Sequence, residues 1–279
     1  MRKTPLAPAV AAGVTAVLGL SLAACGGDSG KDDPYGLEVP GTITAAVSTD
    51  QPPFAKAAKG GRPEGFIVDL TDEVAKRLKL KVSYKSSTVP AAMQGLTTGQ
   101  YDLGASGLGV TAERQKQVAF TKGLYWSTTE VLTLKSNPAS KVTDFSGKRT
   151  GVVTGAVQQA FVKNKMPGAK QTQFRDQNAA VSQLLSGNID AFVVGGPDAQ
   201  AYMKRYDKLK VAVSAPVDHP TAMAVQKKNT KFLKAVDDQL AAMVQDGTYI
   251  RIYRTWFTEP PQPELVKIWP GLNGSQGKG

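Results

Sequence analysis

The sequence predicts an α/β fold of two similar lobes. Three observations predict it. Short β-type runs and amphipathic helical stretches alternate from Gly41 onward, the pattern of a mostly parallel sheet with helices on its faces. A seven-residue pattern occurs twice, as Leu96-Thr97-Thr98-Gly99-Gln100-Tyr101-Asp102 and as Leu184-Leu185-Ser186-Gly187-Asn188-Ile189-Asp190, which marks an internal repeat. Both copies lead into glycine, Gly104 and Gly107 in the first and Gly195 and Gly196 in the second.

The elements follow in order. Thr42 to Val47 reads as a short strand. Ile67, Leu70, Val74 and Leu78 share one helical face, with Lys76, Arg77 and Lys79 opposite. Val82 to Tyr84 is a second β run. Pro90 to Thr98 carries proline at its first turn and Gly99 just past its end, the asymmetry of a helix. Tyr101 to Ala105 is a strand. The second series has strands at Arg149 to Val153, Ile189 to Val194 and Leu209 to Val213. Helices lie between them, around Val157 to Phe161, Ala180 to Leu185 and Ala199 to Tyr206. Phe232, Leu233, Val236, Leu240, Met243 and Val244 give one apolar face near the C-terminus, and a second helix follows Asp246-Gly247-Thr248. No third sheet is left for these helices to cover, so they are expected on the first lobe, with the chain crossing between lobes twice.

The N-terminus points to export. Arg2 and Lys3 precede an apolar stretch, Val10 to Leu20, and small residues then lead into Cys25. That is the layout of a signal peptide, and the stretch is too short and too rich in alanine and glycine for a membrane span. Leu22-Ala23-Ala24-Cys25 resembles a bacterial lipobox, which implies lipidation at Cys25 and an extracytoplasmic protein anchored to the outer face of the cell membrane. An ordinary signal peptide with an incidental cysteine is the plain alternative. Cys25 is the only cysteine, so no internal disulfide is available. Residues 26–36 are rich in glycine, aspartate and serine and read as a flexible tether. The net charge of +11 falls to +9 once Arg2 and Lys3 leave. The positive charge is spread rather than gathered, which suits a solvated surface beside anionic lipid and argues against a nucleic-acid partner.

Ligands of open α/β sheets bind beyond the carboxyl ends of the strands. Two facing lobes with glycine loops there would form one cleft, because glycine lets a ligand approach the backbone.

Four stretches resemble the family 3 extracellular solute-binding proteins, which serve polar amino-acid ABC importers. They are Asp50-Gln51-Pro52-Pro53-Phe54, Gly65-Phe66-Ile67-Val68-Asp69-Leu70, Ser106 to Arg114 followed by Phe120-Thr121-Lys122-Gly123-Leu124-Tyr125, and Gln245-Asp246-Gly247-Thr248-Tyr249. The resemblance spans residues 41 to 258. It implies a periplasmic-binding-protein type II clamshell of two α/β lobes joined by two crossover strands. The crossovers would be 132–134 and 213–221, the first lobe 37–131 plus 222–260 and the second 135–212. Residues 1–24 are then the signal peptide, 25–36 a lipidated tether and 261–279 a partly disordered tail.

The resemblance also implies a ligand site. Arg114 would grip a carboxylate, a role suited to a paired-donor cation that stays charged when desolvated. Thr111 would start the helix that carries it. Asp50, Phe54, Ser106, Gly107 and Gly109 fall in the family's ligand-contacting loops. Gly155-Ala156-Val157 lacks the hydroxyl usual there and leaves backbone N–H groups and Gln158 as donors. Gly195 stands where the family carries an aspartate for the ligand's ammonium group. Asp198 could replace it or could cap the helix after Pro197, and both roles stay open. Val89 stands near an aromatic position of the family. Asp69 and Asp102 are read as loop and capping groups. His219, the only histidine, has no second histidine or cysteine for a metal site and is read as structural.

No cofactor and no metal are expected. The implied partners are a small polar, carboxylate-bearing solute, ABC permease subunits and the membrane reached through the N-terminal lipid, with the chain a monomer. The competing readings are a dehydratase-like exported enzyme and a sensing partner of a membrane receptor. An enzyme would need a cleft carboxylate, for which Asp50, Glu64, Asp198 and Asp218 are the candidates.

Overall fold

The computed structural model describes residues 33–276. The predicted signal peptide, Cys25 and tether residues 26–32 lie outside the described residues. The chain begins with β1 (Thr42–Val47), β2 (Asp50–Gln51), β3 (Ala55–Ala57), β4 (Pro63–Glu64), α1 (Phe66–Arg77), β5 (Lys81–Ser86), α2 (Val89–Thr98), β6 (Leu103–Gly109), α3 (Ala112–Gln115) and β7 (Val118–Phe120). It continues with β8 (Thr128–Leu134), a 3-10 turn at Val142–Phe145, β9 (Arg149–Val153), α4 (Gln158–Lys165), β10 (Lys170–Phe174), α5 (Gln177–Leu185), β11 (Ala191–Gly195), α6 (Gly196–Arg205) and β12 (Leu209–Pro216). It ends with β13 (Thr221–Gln226), α7 (Thr230–Gln245), α8 (Thr248–Trp256), α9 (Pro263–Ile268) and a 3-10 helix at Pro270–Gln276.

Two sheets carry the architecture, ordered β5-β1-β6-β13-β7 and β10-β9-β11-β8-β12. In each, three parallel strands are followed by a strand antiparallel to them and one more beyond it. The antiparallel strand is the one that arrives from the other lobe: β8 reaches the second sheet from the first, and β13 reaches the first from the second. The inner strands β1 and β11 are buried along almost their whole length, on both faces, because helices cover both.

The repeat has a physical role in both sheets. α2 ends at Gly99 and α5 just before Gly187, and both glycines adopt positive φ (86° and 72°). The aspartate that follows ties the central strand it leads into, β6 or β11, to the parallel neighbour, β1 or β9. Asp102 donates its N–H to the Thr44 carbonyl and accepts the Thr44 N–H at 2.8 Å. Asp190 makes the same two contacts with Arg149, accepting its N–H at 2.8 Å. Asp102 takes a further N–H from Glu38 at 2.8 Å.

α1, α7 and α8 pack on the first sheet and share its core. Phe66 lies edge-on to Tyr249, Tyr253 and Phe257 at centroid distances of 5.9, 5.8 and 5.0 Å, the geometry aromatic quadrupoles favour. Asp69 accepts from Trp256 Nε1 at 2.7 Å and so ties α1 to α8.

Three expectations need correction. All of β8 lies in the second sheet, so the first crossing falls between Tyr125, which bridges Thr221, and Thr128, which pairs Pro216, rather than at 132–134. The second crossing is accordingly 217–220. Residues 33–36 are not free tether. The Asp33 carboxylate accepts from the N–H groups of Tyr35 and Leu37, and the Tyr35 ring meets Phe232 at 6.2 Å. The C-terminal segment is folded as far as residue 276. Leu265, Trp269 and Leu272 recur at helical spacing, are buried, and pack into the first lobe's core. Trp269 Nε1 donates to the Gly123 carbonyl at 2.6 Å.

Asp102→Ala should lower the unfolding free energy by about 2–4 kcal/mol, because two backbone N–H groups lose their acceptor in a buried place. Asp190→Ala should cost less, since its contacts are more exposed. Urea titration of both variants checks the order; equal losses would contradict it.

Candidate functional site

A cavity of about 70 Å3 lies where the carboxyl end of β6, the loop after β9 and the start of α6 meet. The lobes touch around it. Pro90 of α2 packs so closely on Gly155 that a β-carbon there would stand 2.8 Å from the proline ring. Gly155 also has φ of 76°, so both backbone and neighbour require glycine.

Arg114 is the wall's cation. Thr111 caps α3, accepting the Arg114 N–H at 3.2 Å, and so aims the residue. The guanidinium donates through Nη1 to the Gly109 carbonyl at 2.9 Å and through Nη2 to the Gly155 carbonyl at 2.9 Å. One partner belongs to each lobe. No ion pair joins Arg114 to a carboxylate among the described residues. Burial lowers its pKa to about 10, since desolvation disfavours the charge and no anion restores it.

Asp198 is the opposing acid. It sits in the first turn of α6, buried, with Oδ1 accepting from Gln177 Nε2 at 3.3 Å. Its carboxylate reaches back over Gly195: a β-carbon at 195 would lie 2.9 Å from Oδ2. Burial raises its pKa well above the ordinary range, and the nearby Asp50 charge adds to the rise. The side chain therefore reaches the cleft from a helix that already starts at Gly195 without a side-chain cap.

The other expected residues divide. Phe54, Gly107, Gly109 and Gln158 line the cavity with Arg114 and Asp198, as does Val89. Phe54 fills the space under Gly107, where a β-carbon would meet its ring at 2.9 Å. Ser106 does not line it. Its hydroxyl faces inward from β6 and accepts the Ser48 N–H at 2.8 Å. Thr111 acts through its cap rather than in the cavity. Asp50 is engaged between lobes: its carboxylate accepts the Gln177 N–H at 2.6 Å and its carbonyl accepts from Tyr202 Oη at 3.3 Å. Burial raises the Asp50 pKa, and the Gln177 hydrogen bond opposes the rise. Of the four candidate catalytic carboxylates only Asp198 lines the cavity. Glu64 pairs with Lys56 at 3.0 Å, and Asp218 is exposed beside His219.

Gln51, Gln177 and His219 are among the wall residues that sequence reasoning missed. His219 was read as structural, yet its ring lies against Gly109, whose β-carbon would meet Nε2 at 2.8 Å. Its Nδ1 is 2.8 Å from Asp218. Its place on a crossing segment, which must pass the cleft, was the available signal.

Residues 43–259 match the model of the bacterial extracellular solute-binding proteins, family 3. The chain is 26% identical over 230 residues to the ABC transporter arginine-binding protein 1 of Escherichia coli (strain K12), covering 81% of this chain and 94% of that one. Its fold is similar to an ancestral arginine-binding protein bound to glutamine, with a TM-score of 0.76, 31% identity, and coverage of 79% of this chain and 100% of that one. It is also similar to the ancestral amino acid-binding protein AncCDT-1, a precursor of cyclohexadienyl dehydratase, with a TM-score of 0.72, 29% identity, and coverage of 78% and 96%. These likenesses agree with a two-lobed periplasmic-binding-protein type II clamshell.

The raised pKa of Asp198 gives a signed expectation. The folded chain holds this proton more tightly than the unfolded chain does. Stability of the free protein is therefore fully present below the unfolded value, near 3.8, and declines as pH rises through the higher folded value. Asp198→Asn should flatten that slope and leave the melting temperature at pH 7 equal or higher. Gly195→Ala should displace the carboxylate without unfolding α6, whose φ of −69° at 195 suits any side chain. Melting curves across pH for both variants check this; a melting temperature lowered by Asp198→Asn at pH 7 would contradict it.

Proposed function

This chain belongs to the bacterial extracellular solute-binding proteins of family 3, and from that premise we propose that its cleft captures an amino acid, or a derivative that keeps the carboxylate, for an ABC importer. One observation carries the reading. A desolvated guanidinium with only neutral oxygens as partners spans the two lobes at a shared cavity. A carboxylate is the group that such a fork binds best, through two parallel charge-assisted hydrogen bonds. Asp198 supplies the negative charge for the ligand's ammonium. Ionisation of this acid is disfavoured by burial, so an arriving cation promotes it, and affinity falls as pH drops through its folded pKa. The amino acids in the names of the arginine-binding relative and of the glutamine-bound neighbour support a zwitterionic ligand.

Closure gives the capture step. The ligand docks against Arg114, and the second lobe then closes and excludes water, which strengthens each polar contact. Moving the open-to-closed ratio from 1:99 to 99:1 requires the ligand to favour the closed form by about 5.5 kcal/mol. Charge-assisted hydrogen bonds at about 1.5–3 kcal/mol each supply that when several act together. Lipid on Cys25 would hold the protein at the outer face of the membrane, beside permease subunits that receive the solute. Ligand-contacting roles for Phe54, Gly107, Gly109 and Gln158 fit their places on the wall.

The rival reading is an enzyme on this scaffold, with Asp198 as its acid. Its warrant is the likeness to AncCDT-1, whose own description ties it to a dehydratase. Recovery of bound ligand chemically unchanged after prolonged incubation is expected; a dehydrated product would favour the rival.

Arg114→Ala should abolish the rise in melting temperature that ligand produces. Arg114→Lys should weaken binding by about 10–100-fold, since a point charge replaces a planar fork. A thermal-shift screen of amino acids, betaines and organic acids, followed by titration of the hit, checks both. Unchanged binding by Arg114→Ala would remove the reading.

A further inference from the structure

His219 stands on the second crossing segment, 217–220, and the backbone fixes its place there. The Val110 N–H donates to the Pro220 carbonyl at 2.9 Å, and Thr221 pairs Gly109, so the segment is held along the carboxyl end of β6. The ring lines the cleft cavity. A β-carbon on Gly109 would stand 2.8 Å from its Nε2 and 3.2 Å from Val157 Cγ1 of the second lobe.

The two ring nitrogens are in different positions. Nδ1 lies 2.8 Å from Asp218 Oδ1, and this hydrogen bond holds the exposed Asp218 carboxyl below the usual carboxylate range. An ionised carboxylate only accepts, so Nδ1 carries a proton and donates it. Nε2 is then the nitrogen whose state varies, a lone pair in the neutral ring and an N–H in the charged one. It has no hydrogen-bond partner among the described residues. The buried unpaired polar atoms there lie on Gln51, Thr133, Gln177 and Gln262, and the His219 side chain is 19% exposed, so Nε2 is not sealed off.

Charges face the ring from three elements: Asp218 on its own segment, Arg114 of α3 across Gly109, and Asp198 of α6 across the cavity. Arg114 Nη1 donates to the Gly109 carbonyl at 2.9 Å, so guanidinium and imidazole flank one residue. In the free protein a charged ring would add a second cation beside a guanidinium whose partners are neutral oxygens. A carboxylate on Arg114 reverses that balance, because an anion favours a charged neighbour.

We propose that His219 is a proton-linked ligand contact: the ring takes up a proton as an amino acid's carboxylate arrives on Arg114, and its Nε2–H then donates to that carboxylate. The inference rests on the reading that Arg114 takes the carboxylate. The proton is drawn from solvent and returns to it on release, so acid favours capture and alkali favours release. This sign is opposite to that of Asp198, which must lose a proton to meet an ammonium.

The chain's single histidine makes the test direct. The ring C2–H signal of the untagged protein is followed by NMR from about pH 5 to 9, alone and saturated with the tightest binder among the standard amino acids. The titration midpoint should rise by at least about one pH unit on binding, a tenfold preference of the carboxylate for the charged ring. A midpoint that stays or falls would overturn the inference. His219→Gln keeps a polar side chain that cannot titrate. The ratio of wild-type affinity to that of His219→Gln should rise about tenfold from about pH 8.5 to about pH 5.5; Asp198 is present in both proteins and cancels from the ratio. A ratio that ignores pH would also overturn it. If His219→Gln does not fold, the NMR midpoint decides alone. An unmoved midpoint with capture abolished by Arg114→Ala would sink this inference and leave the carboxylate role standing. Unchanged binding by Arg114→Ala, or no binding of any standard amino acid, would remove both.

Discussion

A guanidinium held between two carbonyl oxygens, one from each lobe, is the contact around which the molecule is arranged. The Arg114 guanidinium is partly withdrawn from water, and burial pulls its pKa down to about 10. Neutral carbonyls offset only part of that cost, because hydrogen bonds from a cation are strongest to an anion. The site is thus left with an unmet demand for negative charge. That demand lies between the lobes, so whatever meets it also holds them together. The short helix that carries the residue is fixed by the Thr111 cap, and the loop opposite is fixed by the Pro90–Gly155 packing. Asp50 adds a second link, from β2 to the N-terminus of α5, where an acid also meets the positive end of the helix dipole.

The two-lobed architecture follows from how the chain exchanges strands. Each five-stranded sheet holds a parallel trio, an antiparallel strand delivered from the other lobe and one edge strand beyond it. The exchange leaves two short segments between the lobes, 126–127 and 217–220, side by side. Trp126 Nε1 joins them by donating to the Val217 carbonyl at 3.3 Å. Beyond them the backbone is anchored. Trp269 holds Gly123, and Thr221 exchanges both backbone hydrogen bonds with Tyr125. Any hinge is thereby confined to a few residues, and the Asp102 and Asp190 ties keep each sheet rigid on either side of it.

Much of this was legible in the sequence, and the reasons differ by element. The repeat was readable because a helix that ends at a left-handed glycine and leads at once into a strand leaves a fixed order of residue types. Arg114 was readable because the stretch from Ser106 to Arg114 resembles the family's own, and the helix start that Thr111 caps is local in the chain. Where the chain changes sheets before β8 was not readable. Val131 to Leu134 is a buried apolar run whichever sheet it joins, and nothing in such a run records its partner. Ser106 was misplaced because strand alternation decides which way a hydroxyl points, and glycines on both sides hide that alternation. Gln51 and Gln177 were missed because a wall built by two distant segments exists only once they meet. The C-terminal helix was missed because Pro260-Pro261-Gln262-Pro263 looks like an end, although the third of those prolines sits in the first turn of α9.

A crystal structure of the protein with a bound amino acid tests the central claim most directly. The ligand's carboxylate should lie on the Arg114 guanidinium through two hydrogen bonds of about 2.7–2.9 Å, displacing at least the Gly155 carbonyl, with the ligand's ammonium at Asp198. A guanidinium still bound to both Gly109 and Gly155, with the ligand seated elsewhere, would contradict it.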